Sequence, residues 1–592
     1  MTSQMATGLK LRSEVAKMDC WDLSPLYASV EQFNQDYEAL ADLLPKIVEF
    51  KGRLGEEIQV LACLELKFSL ARKLYKLYTW ANLKQSEDLA DEVGSSLLKR
   101  MQSLDAKFQE LTAFIDPELL STPETQLVGY VNKPEFAFYR MYLKDLLNQK
   151  QHILTDAEEA ILAKAAMLWD GPYQIFSAFD NVDADFGEIE LANGEVVTVT
   201  HGNLATLLEH TDRNVRRDAY AACYQEYERH IHTLTEVIAA ELKQHRFIAE
   251  VRKYKSALAA SLIDDFVPES VYHNLVSSVR DLLPTFHQYI AKRAVKLGLN
   301  KLNMWDLRVP LFNVEMRFSY EEAVDLVLKA CAPMGEEYVK ALEAGLTGGW
   351  VDRYENKGKR SGAFSGGCYD SWPYILLNFD GSLNDVYTLA HEAGHSMHSY
   401  LANQNQPYGL ADYPIFTAEI ASTVCERLLT DYLLKIYDGK ERQYILQYEI
   451  DAIRATFFRQ TMFAEFELKL SEFVAKGTPI TKELLLNEYE ELNFTYYGEA
   501  MARDNLIRYE WARIPHFYYN FYVYKYATGI SAAYAFSEQI LAGNVEPYLS
   551  LLKAGGSDEP LILIKQAGVD MQSPEFYQPL AERFAELVGQ ID

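Results

Sequence analysis

Little in the chain ties it to oxidising compartments, membranes or nucleic acid. Its 592 residues hold six cysteines, Cys20, Cys63, Cys223, Cys331, Cys368 and Cys425, none of them in a CxxC pair. That scatter excludes a disulfide framework and a thiolate zinc site, and it predicts buried thiols in a reducing compartment. No uncharged apolar run approaches the roughly 18 residues of a membrane span. The start, "MTSQMATGLKLRSEVAKMDC", lacks an apolar core of signal-peptide length, which predicts a cytoplasmic protein. Positive charge is in deficit: 57 Lys and Arg against 85 Asp and Glu give a formal net charge of −28. Such a balance repels phosphate backbones and anionic lipid, so nucleic acid and membrane surfaces are excluded as partners. Fixed-period repeats and low-complexity tracts are missing too, which argues against a solenoid. Quaternary state leaves no mark.

What is present reads as a large, mainly α-helical protein. The length exceeds what one hydrophobic core fills, and 49% hydrophobic with 24% charged residues is the composition of a globular chain. From "SVEQFNQDYEALADLLPKIVEF" to "DAYAACYQEYERHIHTLTEVIAAELKQHRFIAEV" apolar residues recur three and four apart, the signature of helices that bury one stripe. Two stretches break the pattern. "FGEIELANGEVVTVT" predicts a β-hairpin near 186–200 with a type I′ turn at Asn193 and Gly194. "GKRSGAFSGGCYDSWPYILLNFDGS" is too glycine-rich for helix, and its "YILLNF" predicts a short strand. The expected organisation is a mainly helical N-terminal part over 1–200 and a helical catalytic part over 201–592.

The stretch "HEAGHSMHSY" puts three of only twelve histidines and a glutamate in ten positions. Ser382, Asn384 and Asp385 are candidate N-caps for a helix whose apolar face is Val386, Leu389, Ala390, Ala393, Met397 and Leu401. On it His391 and His395 lie one turn apart, about 6 Å along the axis, so both imidazoles can meet one zinc ion. Glu392 is rotated about 100° from His391, which suits a general base beside the ion rather than a ligand. His398 is a further turn away, about 10.5 Å along the axis from His391, too far to complete the set, and is read as an outer or surface residue.

A catalytic zinc needs a third protein ligand and an open position. Downstream, "ANQNQPYGLADYPIF" is turn-rich and "TAEIASTVCERLLTDYLLKIY" is a new helix with Thr417 as candidate N-cap. Asp412, Glu419 and Glu426 are the acidic candidates there. Glu419 is favoured as ligand, with Glu426 as a carboxylate orienting a histidine.

"HEAGHSMHS" followed by "FTAEIASTVCE", with "WDLSPLY" and "GAFSGG" before and "IPHFYYNFYVYKYATG" after, resembles the oligoendopeptidase F branch of the thimet-oligopeptidase-like zinc metallopeptidases. The resemblance spans the chain and is most specific over about 350–530. It implies an almost wholly helical, two-lobed fold around a deep channel, with a small β element beside the zinc helix. It implies His391, His395 and Glu419 as ligands of one Zn2+ and Glu392 as base and proton shuttle. By the same resemblance Ala363, Phe364, Gly366 and Gly367 bind substrate backbone at an exposed strand edge, and Tyr519 adds to the substrate-binding set. His516 and Tyr522, with Tyr526, would donate hydrogen bonds to the tetrahedral intermediate. Tyr519, Tyr522 and Tyr526, at i, i+3 and i+7, are expected to share one helix face. The chain departs from better-known relatives in having Gly529 where they carry a further tyrosine.

The expected activity is hydrolysis of internal bonds in short oligopeptides. The negative balance favours cationic or neutral peptides through electrostatic steering. Two alternatives compete with it. A carboxy-terminal dipeptide-releasing exopeptidase on the same scaffold would need a clamp for the free carboxylate, for which Arg513 is available. A non-catalytic helical peptide-binding protein would carry His391, Glu392 and His395 merely as a polar patch.

Overall fold

The computed structural model describes residues 9–591, so the first eight residues of the N-terminal stretch lie outside it. Helix dominates. The helices that matter for the site and its surroundings are α1 (Glu57–Glu87), α2 (Glu92–Thr112), α3 (Arg213–Val251), α4 (Glu269–Lys296), α5 (Leu383–Asn405), α6 (Ile415–Ile436) and α7 (Arg459–Ala475). The strands are β1 (Glu188–Glu190), β2 (Val196–Thr198), β3 (Val351–Asp352), β4 (Phe364–Gly366) and β5 (Tyr374–Leu376). No helix among the described residues is long and apolar enough to cross a membrane.

The chain forms two compact units, each assembled from separate stretches. The first takes the described residues through Lys150, then Met316–Leu433 and Phe536–Val569; the second takes Gln151–Glu315, Leu434–Ala535 and the residues from Asp570 on. Residue 200, the expected join, falls inside the second unit. The chain passes between units within helices, at Leu433 in α6 for example, which is why no Pro/Gly/Ser linker marks the change.

In the first unit α1 and α2 pack together, and a three-stranded sheet of order β3-β5-β4 sits beside α5. β5 pairs parallel with β3 and antiparallel with β4, which leaves β4 as an edge strand. The early "WDLSPLY" segment supports this sheet. Trp21 packs on Phe364 and Tyr374 with ring centroids 6.3 and 6.1 Å away, its indole N–H donates to Glu87 at 2.7 Å, and the Tyr374 hydroxyl donates to the Asp22 carbonyl at 2.9 Å. A strand of three residues gains little from its own ladder, and burial of Trp21, Tyr374 and Leu376 in one core with Phe33, Leu64 and Trp80 holds it in place.

The second unit is built on α3, α4 and α7. Its centre is a buried charge network in which Glu510 accepts from Arg459 at 2.6 Å, from Tyr489 at 2.5 Å and from Tyr224 at 3.3 Å. Here too lies the hairpin of β1 and β2, with Glu190 opposite Val196. Its turn differs from the type I′ expectation. The Gly194 N–H donates to the Leu191 carbonyl and Leu191 pairs with Glu195, so the loop has three residues, with only Gly194 left-handed at φ 83°. Asn193 keeps a negative φ and uses its side chain to accept from the Glu195 N–H, the arrangement of a type I turn closed by a left-handed glycine.

Candidate metal centre

The stretch "HEAGHSMHSY" stands on α5 as a regular helix. Of the candidate caps, Ser382 is the one used: its hydroxyl accepts from the Asp385 N–H at 3.2 Å. Val386, Leu389, Ala390, Ala393 and Met397 are fully buried, so the apolar face fixes the rotation of the helix and turns His391 and His395 the same way. α6 crosses α5 at Gly394. A side chain there would meet the Ala421 carbonyl at 2.5 Å and the Ser422 Cα at 2.6 Å, so only glycine allows the approach that brings Glu419 to the histidines. α6 begins earlier than the sequence suggests. Thr417 does not cap it; the helix starts after Pro414, and the buried Thr417 hydroxyl donates to the Pro414 carbonyl at 3.0 Å.

Three donor atoms converge. The two Nε2 atoms of His391 and His395 are 3.1 Å apart, and the Glu419 Oε2 lies 3.6 Å from the first and 3.8 Å from the second. Bonds of about 2.0–2.1 Å in a tetrahedral site put neighbouring donors about 3.3 Å apart, so the triangle is of the right size for one ion. Each imidazole is held from behind. The His391 Nδ1 meets Glu426 Oε1 at 2.5 Å, and His395 donates to the Ala418 carbonyl, which leaves both Nε2 atoms for the ion. Ser422, fully buried, donates to the Glu419 carboxylate at 3.3 Å.

The electrostatics fit a cation as well. Burial disfavours a charged His391, but the hydrogen bond and charge of Glu426, with Glu392 and Glu419 nearby, prevail and raise its pKa to about 9. Burial and the neighbouring His391 lower His395 to about 3, the neutral state that ligation requires. Glu392 is 7% exposed, and burial, reinforced by Glu419 and Glu426 against the pull of His391, raises its pKa to about 7. Three carboxylates around two imidazoles leave an excess of negative charge that a divalent ion offsets. His398 is not a surface residue: it is buried, stacked 3.6 Å over the Tyr413 ring, and driven by burial to a pKa of about 3, apart from the three converging donors.

β4 lies against this helix. The Ser365 N–H bonds to the Glu392 carboxylate, and the Ser365 and Ser396 hydroxyls are 2.8 Å apart. The segment 363–367 divides into different tasks. Phe364 packs on Trp21, and the place of a Gly367 side chain is taken by the Trp372 carbonyl, 2.6 Å from where a Cβ would stand. Gly366 has open space apart from the Phe364 ring at 3.4 Å, and Ala363 is half-buried.

His516, Tyr519, Tyr522 and Tyr526 gather in the second unit. The His516 Nε2 is 3.3 Å from the Tyr526 hydroxyl, and its ring lies 5.6 Å from Tyr519 and 6.2 Å from Tyr522. They do not form a helix face. A 3-10 turn ends at Tyr518, helix resumes only at Tyr524, and between them Asn520 and Phe521 take left-handed φ values of 46° and 58°. Glu467 of α7 anchors the bend by accepting from the Phe521 N–H at 2.5 Å. Burial raises the Glu467 pKa to about 8 in spite of that bond. Glu467, Gly394 and the Ala418 carbonyl escape sequence reading because each acts through a contact distant in the chain. Arg513 is engaged already, sharing Glu510 with Arg459.

Comparison with known proteins finds relatives over the whole chain. Residues 206–581 match the sequence profile of peptidase family M3, and residues 118–186 match that of oligopeptidase F. The chain is 41% identical to oligopeptidase PepF of Bacillus subtilis, over 99% of this chain and 89% of that protein. A crystal structure from Chlamydophila abortus superposes with a TM-score of 0.93 at 38% identity, covering 99% of each chain. Oligoendopeptidase-F from Enterococcus faecium superposes with a TM-score of 0.73 at 35% identity, covering 95% of this chain and 98% of that one.

Proposed function

The chain belongs to peptidase family M3, in its oligoendopeptidase F branch, and from that premise we propose that it is a zinc-dependent endopeptidase cutting internal bonds of short oligopeptides. His391, His395 and Glu419 hold the ion, and Glu392 moves the proton. The observation that carries this reading is the triangle of two Nε2 atoms and one carboxylate oxygen with edges of 3.1, 3.6 and 3.8 Å beside a buried glutamate. When bound, zinc supplies Lewis acidity, acidifying water and polarising a carbonyl.

The protein residues do the rest. Glu392 accepts a proton from the attacking water and passes it to the leaving amine, and its burial, which raises its pKa, favours the uptake. Glu426 and the Ala418 carbonyl keep the two imidazoles oriented. The β4 edge offers main-chain groups for an extended peptide. The roles of His516, Tyr522 and Tyr526 as donors to the tetrahedral intermediate rest on the family resemblance, supported by their clustering within the second unit.

A short quenched fluorescent peptide blocked at both ends tests the proposal. Internal cleavage, seen by mass spectrometry of the products, should vanish with a chelator and return with zinc. Cleavage indifferent to the chelator sinks the metal assignment. Release of C-terminal dipeptides from unblocked peptides alone sinks the endopeptidase assignment.

A further inference from the structure

A cavity of about 570 Å3 opens within the first unit, with Ser365, Gly366 and Gly367 in its wall. Ser365 is also the residue whose N–H meets Glu392, so the cavity begins at the strand that touches the general base. Phe68, Tyr75, Tyr408 and Tyr413 line it as well, together with Asp412, which is exposed.

The charges in and around the cavity are not balanced alike. Lys67 is spoken for by Asp116 at 3.2 Å and by the Tyr142 hydroxyl at 2.9 Å, and Arg72 is paired with Asp370. Asp412 accepts only from the N–H of its neighbour Tyr413, at 3.1 Å, and no cation pairs with it among the described residues. Burial raises the pKa of Tyr75, Tyr408 and Tyr413, and the Asp412 charge adds to that rise at all three, so the carboxylate lies near their hydroxyl groups. An apolar occupant would strip water from this carboxylate without replacing its partners, whereas a cation restores them.

We propose that this cavity receives a cationic group of the peptide substrate, a Lys or Arg side chain or the α-ammonium, with Asp412 as its counter-ion. Asp412 is then a specificity-determining residue, placed one strand away from the proton-transferring glutamate. The inference rests on the peptidase reading given above.

The test uses the zinc-loaded full chain and its Asp412→Asn variant. Substrates are N-acetylated peptides with one Lys moved along the sequence, the same peptides with norleucine in its place, and norleucine peptides with a free amino terminus. The wild type should prefer a charged peptide over its neutral counterpart in kcat/KM. Asp412→Asn should cut that preference by about tenfold or more, the value of a hydrogen bond to a charged group. Loss confined to the acetylated Lys peptides assigns the pocket to a side chain; loss confined to the free-amine peptides assigns it to the α-ammonium. A preference unchanged by the substitution, or no charge preference in the wild type, overturns the proposal. Calorimetric binding of the same peptides to Glu392→Gln, with and without Asp412→Asn, reads the pocket without turnover, so absence of peptidase activity would count against the enzymatic reading separately.

Discussion

On α5 His391 and His395 stand one turn apart on an unbroken helix, whereas His516, Tyr519, Tyr522 and Tyr526 are collected by chain that is not helical until Tyr524. The first arrangement needs only helical periodicity and one close approach at Gly394. The second needs two consecutive left-handed residues, Asn520 and Phe521, each costing on the order of 1–2 kcal/mol without glycine. Glu467 and the packing of Phe521 on Tyr272, 5.5 Å between ring centroids, offset that cost. Periodic geometry is cheap to specify and tolerant of its surroundings; strained geometry depends on distant partners.

Substitutions in each region test this contrast. The largest effect is expected at Glu392, where changing chemistry should leave the helix intact: Glu392→Gln should lower kcat by about 10³-fold or more while zinc content stays at that of the wild type. His516→Ala should cost about 10²–10³ in kcat, again with metal retained, if the loop cluster acts on the reacting carbonyl. Equal metal loss in both variants would erase the distinction between the two regions.

Gly394→Ala attacks the helix crossing itself. The new methyl collides with α6 and displaces Glu419, so zinc affinity measured by competition with a chelator should fall by about 10–100-fold. A smaller effect tests burial on the same helix. In the metal-free protein His398 stays neutral down to about pH 3, while the unfolded chain takes up a proton near pH 6.5. The unfolded state therefore holds one more proton across that window, and His398 contributes stability that is complete above pH 6.5 and lost as pH falls. Denaturant titrations between pH 6.5 and 5 should show a slope lower by about 1.1 kcal/mol per pH unit in His398→Gln than in the wild type. The smallest effect belongs to the strained loop: Asn520→Gly should raise stability by up to about 1 kcal/mol, read as a higher Tm, with zinc content unchanged.

The two regions also differ in how much of them the sequence reveals. His391, Glu392 and His395 are legible because helix spacing alone decides which way they point, and Glu419 is legible as an acidic residue early in the helix that follows. The mainly helical fold and the strand near "YILLNF" follow from periodicity and glycine content in the same way. Gly394 is silent, because its role is set by the Ala421 carbonyl on another helix. The tyrosine stretch misleads: its i, i+3, i+7 spacing suggests a helix face, and the clustering arises instead through left-handed backbone that no local propensity predicts. Thr417 and Asn193 fail for a related reason, since Pro414 and Gly194 each supply a local solution that competes with the expected cap and turn.

The most direct test is diffraction from zinc-loaded crystals at energies on either side of the zinc absorption edge. A single anomalous peak is predicted at about 2.0–2.2 Å from the Nε2 atoms of His391 and His395 and from the Glu419 carboxylate. A peak elsewhere, or one bonded to the histidines with Glu419 turned away, contradicts the account.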